Sequence, residues 1–354
     1  MKYPELSTFS DILPRLAEFD AIIDVRSPSE FAEDHIPGAI NCPVLDDQER
    51  IKVGTMYKQI NAFEAKKVGA ALVAKNIAQH IENHFLDKPR EWKPLVYCWR
   101  GGNRSGSMAH ILAKIGWPVV QLDGGYKNYR HHVNASLPDI APLIQWRVIC
   151  GTTGSGKTRL LQSLAGQGAQ ILDLEELAAH RGSVLGHLPS QPQPSQKMFE
   201  SRIWQALRKM DFARPVFVES ESKKVGNLRV PDAIINTMRA SPCIALELSL
   251  PLRVALLMEE YSHFVSDPTA LNTRLDCLVS MYGKEKIQQW KDLANQENMM
   301  ELVTELLEKH YDPAYLKSIN KNFPHSANAL KLTQDDISYA AFEVSAKEIL
   351  RQMC

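Results

Sequence analysis

Apolar residues recur along the first 135 positions in two alternating rhythms. Short unbroken runs, "AII" before Asp24, "PLVYC" at 94–98 and "PVVQL" at 118–122, read as buried strands. Between them, "NAFEAKKVGAALVAKNIAQHIENHF" (61–85) and "RSGSMAHILAKIGW" (104–117) place Ala, Val, Leu and Ile at three-to-four spacing, which predicts amphipathic helices. Pro28, Gly38 and Pro43 punctuate a strand, turn, helix, strand sequence over 20–43. Such alternation predicts a parallel sheet covered by helices, with functional groups at the C-terminal ends of the strands.

The rhythm then breaks. "SLPDIAPLIQW" (136–146) carries two prolines and reads as a linker. A second α/β domain is expected over 147–250, opening with a strand, a glycine-rich turn and a helix in "RVICGTTGSGKTRLLQSLA". The Pro/Gln-rich "LPSQPQPSQ" (188–196) reads as a loop that feeds an amphipathic helix, with Phe199, Ile203 and Leu207 on its core face. From 251 to 354 the patterns are helical and without a fixed repeat, so this region is expected to pack on the second domain. Tyr311, Tyr315 and Lys317 are read there as packing positions in preference to a base-stacking surface.

Composition narrows the class. A chain of 354 residues with 44% hydrophobic content can bury cores for two domains of ordinary size. No apolar run is long enough to span a bilayer, and the opening residues lack the apolar stretch of a signal peptide, so a cytoplasmic protein without a membrane partner is expected. Six cysteines, Cys42, Cys98, Cys150, Cys243, Cys277 and Cys354, include no C-x-x-C pair, which points to reduced thiols and gives no support to a zinc site or a disulfide framework. The 41 basic and 41 acidic residues cancel, so a polyanion would have to be met by a local patch. One local excess lies between Lys197 and Val230, where Arg202, Arg208, Lys209, Lys223, Lys224 and Arg229 are candidate backbone contacts for a nucleic acid; a solvated helix face is the competing reading.

Two loops carry the candidate chemistry. In "CWRGGNRS", Cys98 ends a strand, and Trp99, Arg100, Gly101, Gly102, Asn103 and Arg104 lead into a helix. Converging loop amides and a helix N-terminus hold an anion, and the same positive potential favours a reactive thiolate. In "GTTGSGKT", Gly151, Thr152, Thr153, Gly154, Ser155, Gly156, Lys157 and Thr158 satisfy the phosphate-loop pattern in its strand-to-helix setting. Lys157 supplies a point charge and Thr158 a hydroxyl that can ligate magnesium. "PVFVESES" ends an apolar strand in Glu219, with Glu221 two residues on, and Asp173 ends another strand; these are candidate acid/base or magnesium-binding carboxylates, and no metal is assigned with certainty. Pairing of Glu219 with Lys223 or Lys224 is the bland alternative. His180 and Arg181 could approach a bound anion or cap a helix.

"DVRSPSEFAEDHIPGAINCP", "CWRGGNRS" and "LDGGYKNY" (122–129) together resemble the rhodanese family of sulfur-transfer domains over about residues 8–135. That family's chalcogen-carrying cysteine falls on Cys98, and Asp24 and Arg26 fall on its structural entry motif. The loop departs from the common rhodanese length: five residues separate Cys98 from Arg104, and this C-x5-R spacing is similar to that of the related cell-cycle phosphatases, whose pocket accepts a tetrahedral anion. The whole chain, a rhodanese-like parallel-sheet domain followed by a P-loop NTPase-like α/β domain with a helical C-terminal part, resembles the bacterial tRNA 2-selenouridine synthase family. The resemblance implies a transferase that replaces the sulfur of wobble 2-thiouridine in tRNA with selenium from selenophosphate, by way of an S-geranyl intermediate made from geranyl diphosphate. It further implies that Cys98 holds selenium as a selenenylsulfide with loss of phosphate, that Gly151 to Thr158 hold a diphosphate, that no cofactor is tightly bound, and that selenophosphate synthase is a candidate partner. Two other classes compete with it. One is a C-x5-R cysteine phosphatase with a regulatory P-loop domain, for which Asp123 is the nearest general acid. The other is a nucleotide-dependent switch on a degenerate rhodanese scaffold.

Overall fold

The computed structural model describes residues 3–353 apart from 184, 185, 188–190, 263, 265 and 266. Cys354, and Leu188, Pro189 and Ser190 of the Pro/Gln-rich loop, lie outside the described residues. The chain divides into two compact units, one formed by Met1–Ser136 with Ser195–Gln205 and the other by Leu137–Pro194 with Ala206–Cys354.

The first unit is built on five parallel strands, β1 (Glu5–Ser7), β2 (Ala21–Asp24), β3 (Ala39–Asn41), β4 (Pro94–Tyr97) and β5 (Val120–Leu122), in the order β1-β5-β4-β2-β3. Parallel strands buried on both faces read as apolar runs, which is why "PLVY" shows no alternation; in "VQL" the buried Gln121 is the exception and spends its amide on the Gly101 carbonyl. Val96, Met108, Leu112 and Trp92 fill the core between sheet and helices. Asp24 and Arg26 are both fully buried and pair at 2.6 Å, while the Arg26 guanidinium lies 3.9 Å from the Tyr126 ring centre and donates to the Asp34 carbonyl. Their role is to fix the turn after β2. The segment 195–205 completes this unit: Trp204 packs edge-on against Tyr129, Ser201 donates to the Asp34 carboxylate, and Arg130 pairs with Glu200.

The second unit carries β6 (Gln145–Cys150), β7 (Gln170–Leu172), β8 (Pro215–Glu219), a small antiparallel hairpin of β9 (Lys224–Val225) and β10 (Leu228–Arg229), β11 (Cys243–Leu248) and β12 (Leu330–Gln334). Its five-stranded sheet is parallel, in the order β12-β11-β6-β8-β7. Placing β6 at the centre with β8 beside it sets Ile149 opposite Glu219. The loop that follows β6 and the acids that follow β8 therefore emerge side by side. The C-terminal helix Tyr339–Met353 packs Phe342 and Ile349 into the core beneath the helix Lys157–Gly166. A second core of Leu275, Ile287, Trp290 and Leu302 holds the helices between 268 and 306 together. Among the described residues, no helix is long and apolar enough to cross a membrane.

Two boundaries differ from the sequence expectation. Residues 136–146 are not a linker: the helix Gly125–Ile140 runs through Pro138, a 3-10 turn covers Ala141–Leu143, and β6 begins at Gln145. Leu137, Ala141, Ile144 and Trp146 are buried, and the Trp146 indole donates to the Ala141 carbonyl, so packing overrides the proline signal. The region after 250 is not purely helical either, because β12 pairs in parallel with β11 and extends the same sheet.

Candidate functional site

The first loop begins where β4 ends. Cys98 is buried, and its sulfur accepts a hydrogen bond from the Ser105 hydroxyl at 3.2 Å. Ser105 sits in the first turn of the helix Asn103–Ile115, so the thiol faces a helix N-terminus. The loop is clamped to the turn after β5: the Tyr126 and Lys127 amides donate to the Cys98 and Trp99 carbonyls, and Gln121 donates to the Gly101 carbonyl at 2.6 Å. Gly125, with φ +56°, makes this approach possible, since a Cβ there would lie 2.2 Å from the Cys98 carbonyl oxygen.

The remaining loop residues are distributed unevenly. Trp99 stacks at a tilt on Tyr126, while Arg100, Gly102 and Asn103 are exposed. Arg104 pairs with Glu30 through two hydrogen bonds of 2.6 and 3.2 Å. Glu30 also accepts from the Ser27 amide as half of a capping box. Burial raises the Glu30 pKa, but the Arg104 hydrogen bond and charge outweigh it, and the carboxyl is held below its ordinary range. Sequence reading did not single out Glu30; the S-x-x-E pattern at 27–30 marks only a helix start. Asp123 is exposed, and its carboxylate accepts from the Gly124 amide.

The second loop follows β6. Gly156 takes φ +83°, where a Cβ would stand 2.4 Å from the Phe342 ring. Lys157 donates to the Gly151 carbonyl at 3.0 Å, and Ser155 is buried with no partner for its hydroxyl. The Gly151 amide donates to the Tyr315 hydroxyl at 2.6 Å, so Tyr315 is part of this site rather than a packing position alone. Arg253 donates to the Thr153 carbonyl at 2.9 Å and is held by Asp312 at 2.6 and 2.9 Å. Arg181 lies over the Tyr261 ring and donates to the Glu260 carbonyl. His180 is buried beside His187, and burial first, then His187, pushes its pKa down to about 4.

Three carboxylates face this loop. Glu175, Glu219 and Glu221 each offer an oxygen within 4.8 Å of the others. Of the acids anticipated here, Asp173 does something different: it accepts from the Glu176 amide at 2.8 Å and caps the helix Leu174–Ala178. Glu175, on the first turn of that helix, joins Glu219 and Glu221, and the Asp173 charge acts on all three. Burial and the neighbouring carboxylates push Glu219 up to about 7 despite the opposing Lys157 charge, and raise Glu175 well above its ordinary value. Burial raises Glu221 as well. Burial works against the Lys157 charge, yet Glu219, Tyr315, Glu175 and Glu221 together hold its pKa above normal. Glu219 Oε1 is buried with no hydrogen-bond partner. A hard cation with oxygen ligands fits that donor set, with the Thr158 hydroxyl at its edge. Loop, lysine and acids border a cleft of about 550 Å³ that also takes in Arg159, Tyr315 and Ile319.

The basic residues between 197 and 230 are divided between the two units. Arg202 belongs to the first unit and is half-buried, whereas Arg208, Lys209, Lys223, Lys224 and Arg229 belong to the second and are exposed. Lys223 pairs with Asp232 at 2.7 Å and not with Glu219. Lys224 and Arg229 stand directly opposite each other on the hairpin that follows the Glu219–Glu221 segment. Asp232, which pairs with Lys223, also feels the Arg229 charge, so an acid already stands beside this hairpin.

Two family models match the chain. Residues 9–132 match the rhodanese-like domain model, and residues 144–274 match the model of the tRNA 2-selenouridine synthase AAA domain. A tRNA 2-selenouridine synthase of Nitrosomonas europaea is 36% identical over 265 residues, covering 74% of this chain and 68% of its own. One of Shewanella halifaxensis is 36% identical over 68% of this chain and 66% of its own. One of Marinobacter nauticus is 32% identical over 323 residues, covering 83% of this chain and 87% of its own.

Proposed function

The chain belongs to the tRNA 2-selenouridine synthase family, and from that premise we propose that it exchanges sulfur for selenium in wobble 2-thiouridine of tRNA, with each loop serving a different step. The observation that carries this reading is the contrast between the loops: one presents a buried thiol at a helix N-terminus, the other a phosphate loop facing three carboxylates and no thiol nucleophile.

The loop from Gly151 to Thr158 holds the diphosphate of geranyl diphosphate. The thiocarbonyl sulfur attacks C1 of the geranyl group, the S–C bond forms, the C–O bond breaks, and pyrophosphate departs with the electron pair. Lys157 stabilises that developing charge. Of the three carboxylates, Glu219, with its pKa near 7, is suited to take the N3 proton that the uracil ring must lose. Magnesium, where held by Glu175, Glu221 and Thr158 with Glu219 left to take the proton, would add electrostatic stabilisation of the leaving group.

Alkylation turns a poor leaving group into a thiol, and selenium then attacks C2 and expels geranylthiol. The loop from Cys98 to Arg104 receives selenophosphate for this step. Electron counting favours attack of the Cys98 thiolate on phosphorus: the S–P bond forms, the P–Se bond breaks, and hydroselenide leaves with the pair; water then attacks phosphorus, the S–P bond breaks, and phosphate leaves with the thiol restored. Capture of selenium on Cys98 as a selenenylsulfide would need a two-electron oxidant in addition. A selenophosphate synthase would supply the donor, and the cytoplasm would supply the tRNA.

The test is stoichiometric. Incubated with 2-thiouridine tRNA, geranyl diphosphate and selenophosphate, the protein should release pyrophosphate, phosphate and geranylthiol only when the thiolated tRNA is present. Hydrolysis of ATP or of phosphate esters without any change in the tRNA nucleosides would overturn the reading.

A further inference from the structure

Cys98 and Trp99 offer their carbonyls to the main-chain amides of Tyr126 and Lys127, two anchors that depend on no side chain. The Gly101 carbonyl is held differently. Gln121, buried on β5, donates to it at 2.6 Å. A carbonyl oxygen only accepts, so the atom at that distance is the side-chain nitrogen, and the Gln121 amide has one orientation. The same nitrogen stands 3.3 Å from the Ser105 hydroxyl, which in turn donates to the Cys98 sulfur at 3.2 Å.

The bond to Gly101 fixes a whole peptide plane. A trans peptide points its N–H opposite to its C=O, and the described residues contain no cis peptide bond. With the Gly101 carbonyl turned to Gln121, the Gly102 amide faces the other way. Gln121 is on the buried side: a Cβ on Gly101 would lie 2.4 Å from the Leu122 carbonyl oxygen, so the loop rests on β5 there. A Cβ on Gly102 would meet nothing within 4 Å. Glycine on both sides lets this plane rotate at little cost, and half a turn would put a carbonyl oxygen where the amide now stands. An amide attracts an oxyanion and a carbonyl repels it. The next plane is held by the helix, whose Gly106 amide donates to the Gly102 carbonyl at 2.9 Å.

We propose that Gln121 is a positioning residue for the cysteine loop: it locks the Gly101–Gly102 peptide with its N–H toward a bound tetrahedral oxyanion and its C=O away. This role rests on the reading of the Cys98–Arg104 loop as the selenophosphate site, and it names what keeps that loop in its anion-accepting state. Gln121 acts through the peptide plane and not by contact with the anion. Its bond to Ser105 ties the lock to the hydroxyl that serves the Cys98 sulfur.

The experiment uses inorganic sulfate, a tetrahedral anion whose charge stays fixed with pH, on the full chain. It reads the sulfate concentration that halves the rate at which iodoacetamide alkylates Cys98, with Cys98→Ala as the background from the other thiols. Gln121→Met keeps the length of the side chain but offers the Gly101 carbonyl no donor. It should raise the half-protecting concentration about tenfold, the worth of one hydrogen bond to a charged group. Gln121→Glu should do the same while ionised, because a carboxylate only accepts and draws the Gly102 N–H inward. As falling pH protonates that carboxyl and restores a donor, protection should return toward the parent, which a purely structural role would not produce. Protection within about twofold of the parent in folded Gln121→Met, or no return in Gln121→Glu, would overturn the lock. Should Gln121→Met fail to fold, the pH dependence of Gln121→Glu decides alone. Failure of the selenophosphate reading looks different: sulfate would protect the parent, yet the parent would make no 2-selenouridine from S-geranyl tRNA and selenophosphate. A parent that sulfate does not protect has no anion site at this loop, and both readings fall.

Discussion

Glu30 grips Arg104, the last residue of the cysteine loop, through two hydrogen bonds across 74 positions of sequence. A guanidinium held by a carboxylate through two hydrogen bonds keeps one orientation. Glu30→Ala removes that restraint without opening the core, since Glu30 is only partly buried. The selenium step should slow by about tenfold, with geranylation unchanged, because misorienting one anion contact typically costs that much or more. Single-turnover conversion of pre-formed S-geranyl tRNA measures it. An unchanged rate would show that the ion pair serves only the fold.

The acid trio makes stability depend on pH in a definite direction. Glu219 rises from the ordinary 4.5 to about 7 in the folded chain. A carboxyl with a raised folded pKa binds its proton more tightly when folded, so its contribution is fully present below pH 4.5 and is lost as pH climbs through 7. Chelator-treated protein should therefore lose up to about 3 kcal/mol across that window. Glu219→Gln should flatten the profile, and magnesium should restore stability at pH 7 and above. Urea unfolding at several pH values reads this directly; a profile that rises through the window would refute the buried-carboxyl account.

Tyr315 supplies the acceptor for the Gly151 amide at 2.6 Å. Removing its hydroxyl leaves a buried N–H without a partner, which costs about 1–3 kcal/mol. Tyr315→Phe should lower the unfolding free energy by that amount, and saturating pyrophosphate should recover part of the loss if the freed amide turns to the ligand. Thermal unfolding with and without pyrophosphate tests both halves of the expectation. No change in either condition would remove Tyr315 from the site.

Both sheets and both loops are legible in the sequence because each is written locally: a buried apolar run, then glycines, then a helix start, all within about fifteen residues. The groups that complete the sites are not written that way. Glu30 reaches Arg104 from 74 positions away, and Tyr315 reaches Gly151 from 164. Glu175 was hidden for a different reason. Asp173 looks the better ligand at a strand end, but the chain turns into a helix there and uses Asp173 as its cap, which carries Glu175 toward Glu219 and Glu221. The stretch 136–146 misleads through Pro138 and Pro142, whose turn signal is outweighed by four buried neighbours.

The division of labour between the two loops is tested most directly by nucleoside mass spectrometry on two variants given two tRNA substrates. Lys157→Ala should fail to convert 2-thiouridine to its S-geranyl form, yet still turn supplied S-geranyl tRNA into 2-selenouridine. Cys98→Ala should do the reverse, accumulating the S-geranyl nucleoside and making no 2-selenouridine. Loss of both steps in both variants, with each protein folded, would contradict separate roles for the two loops.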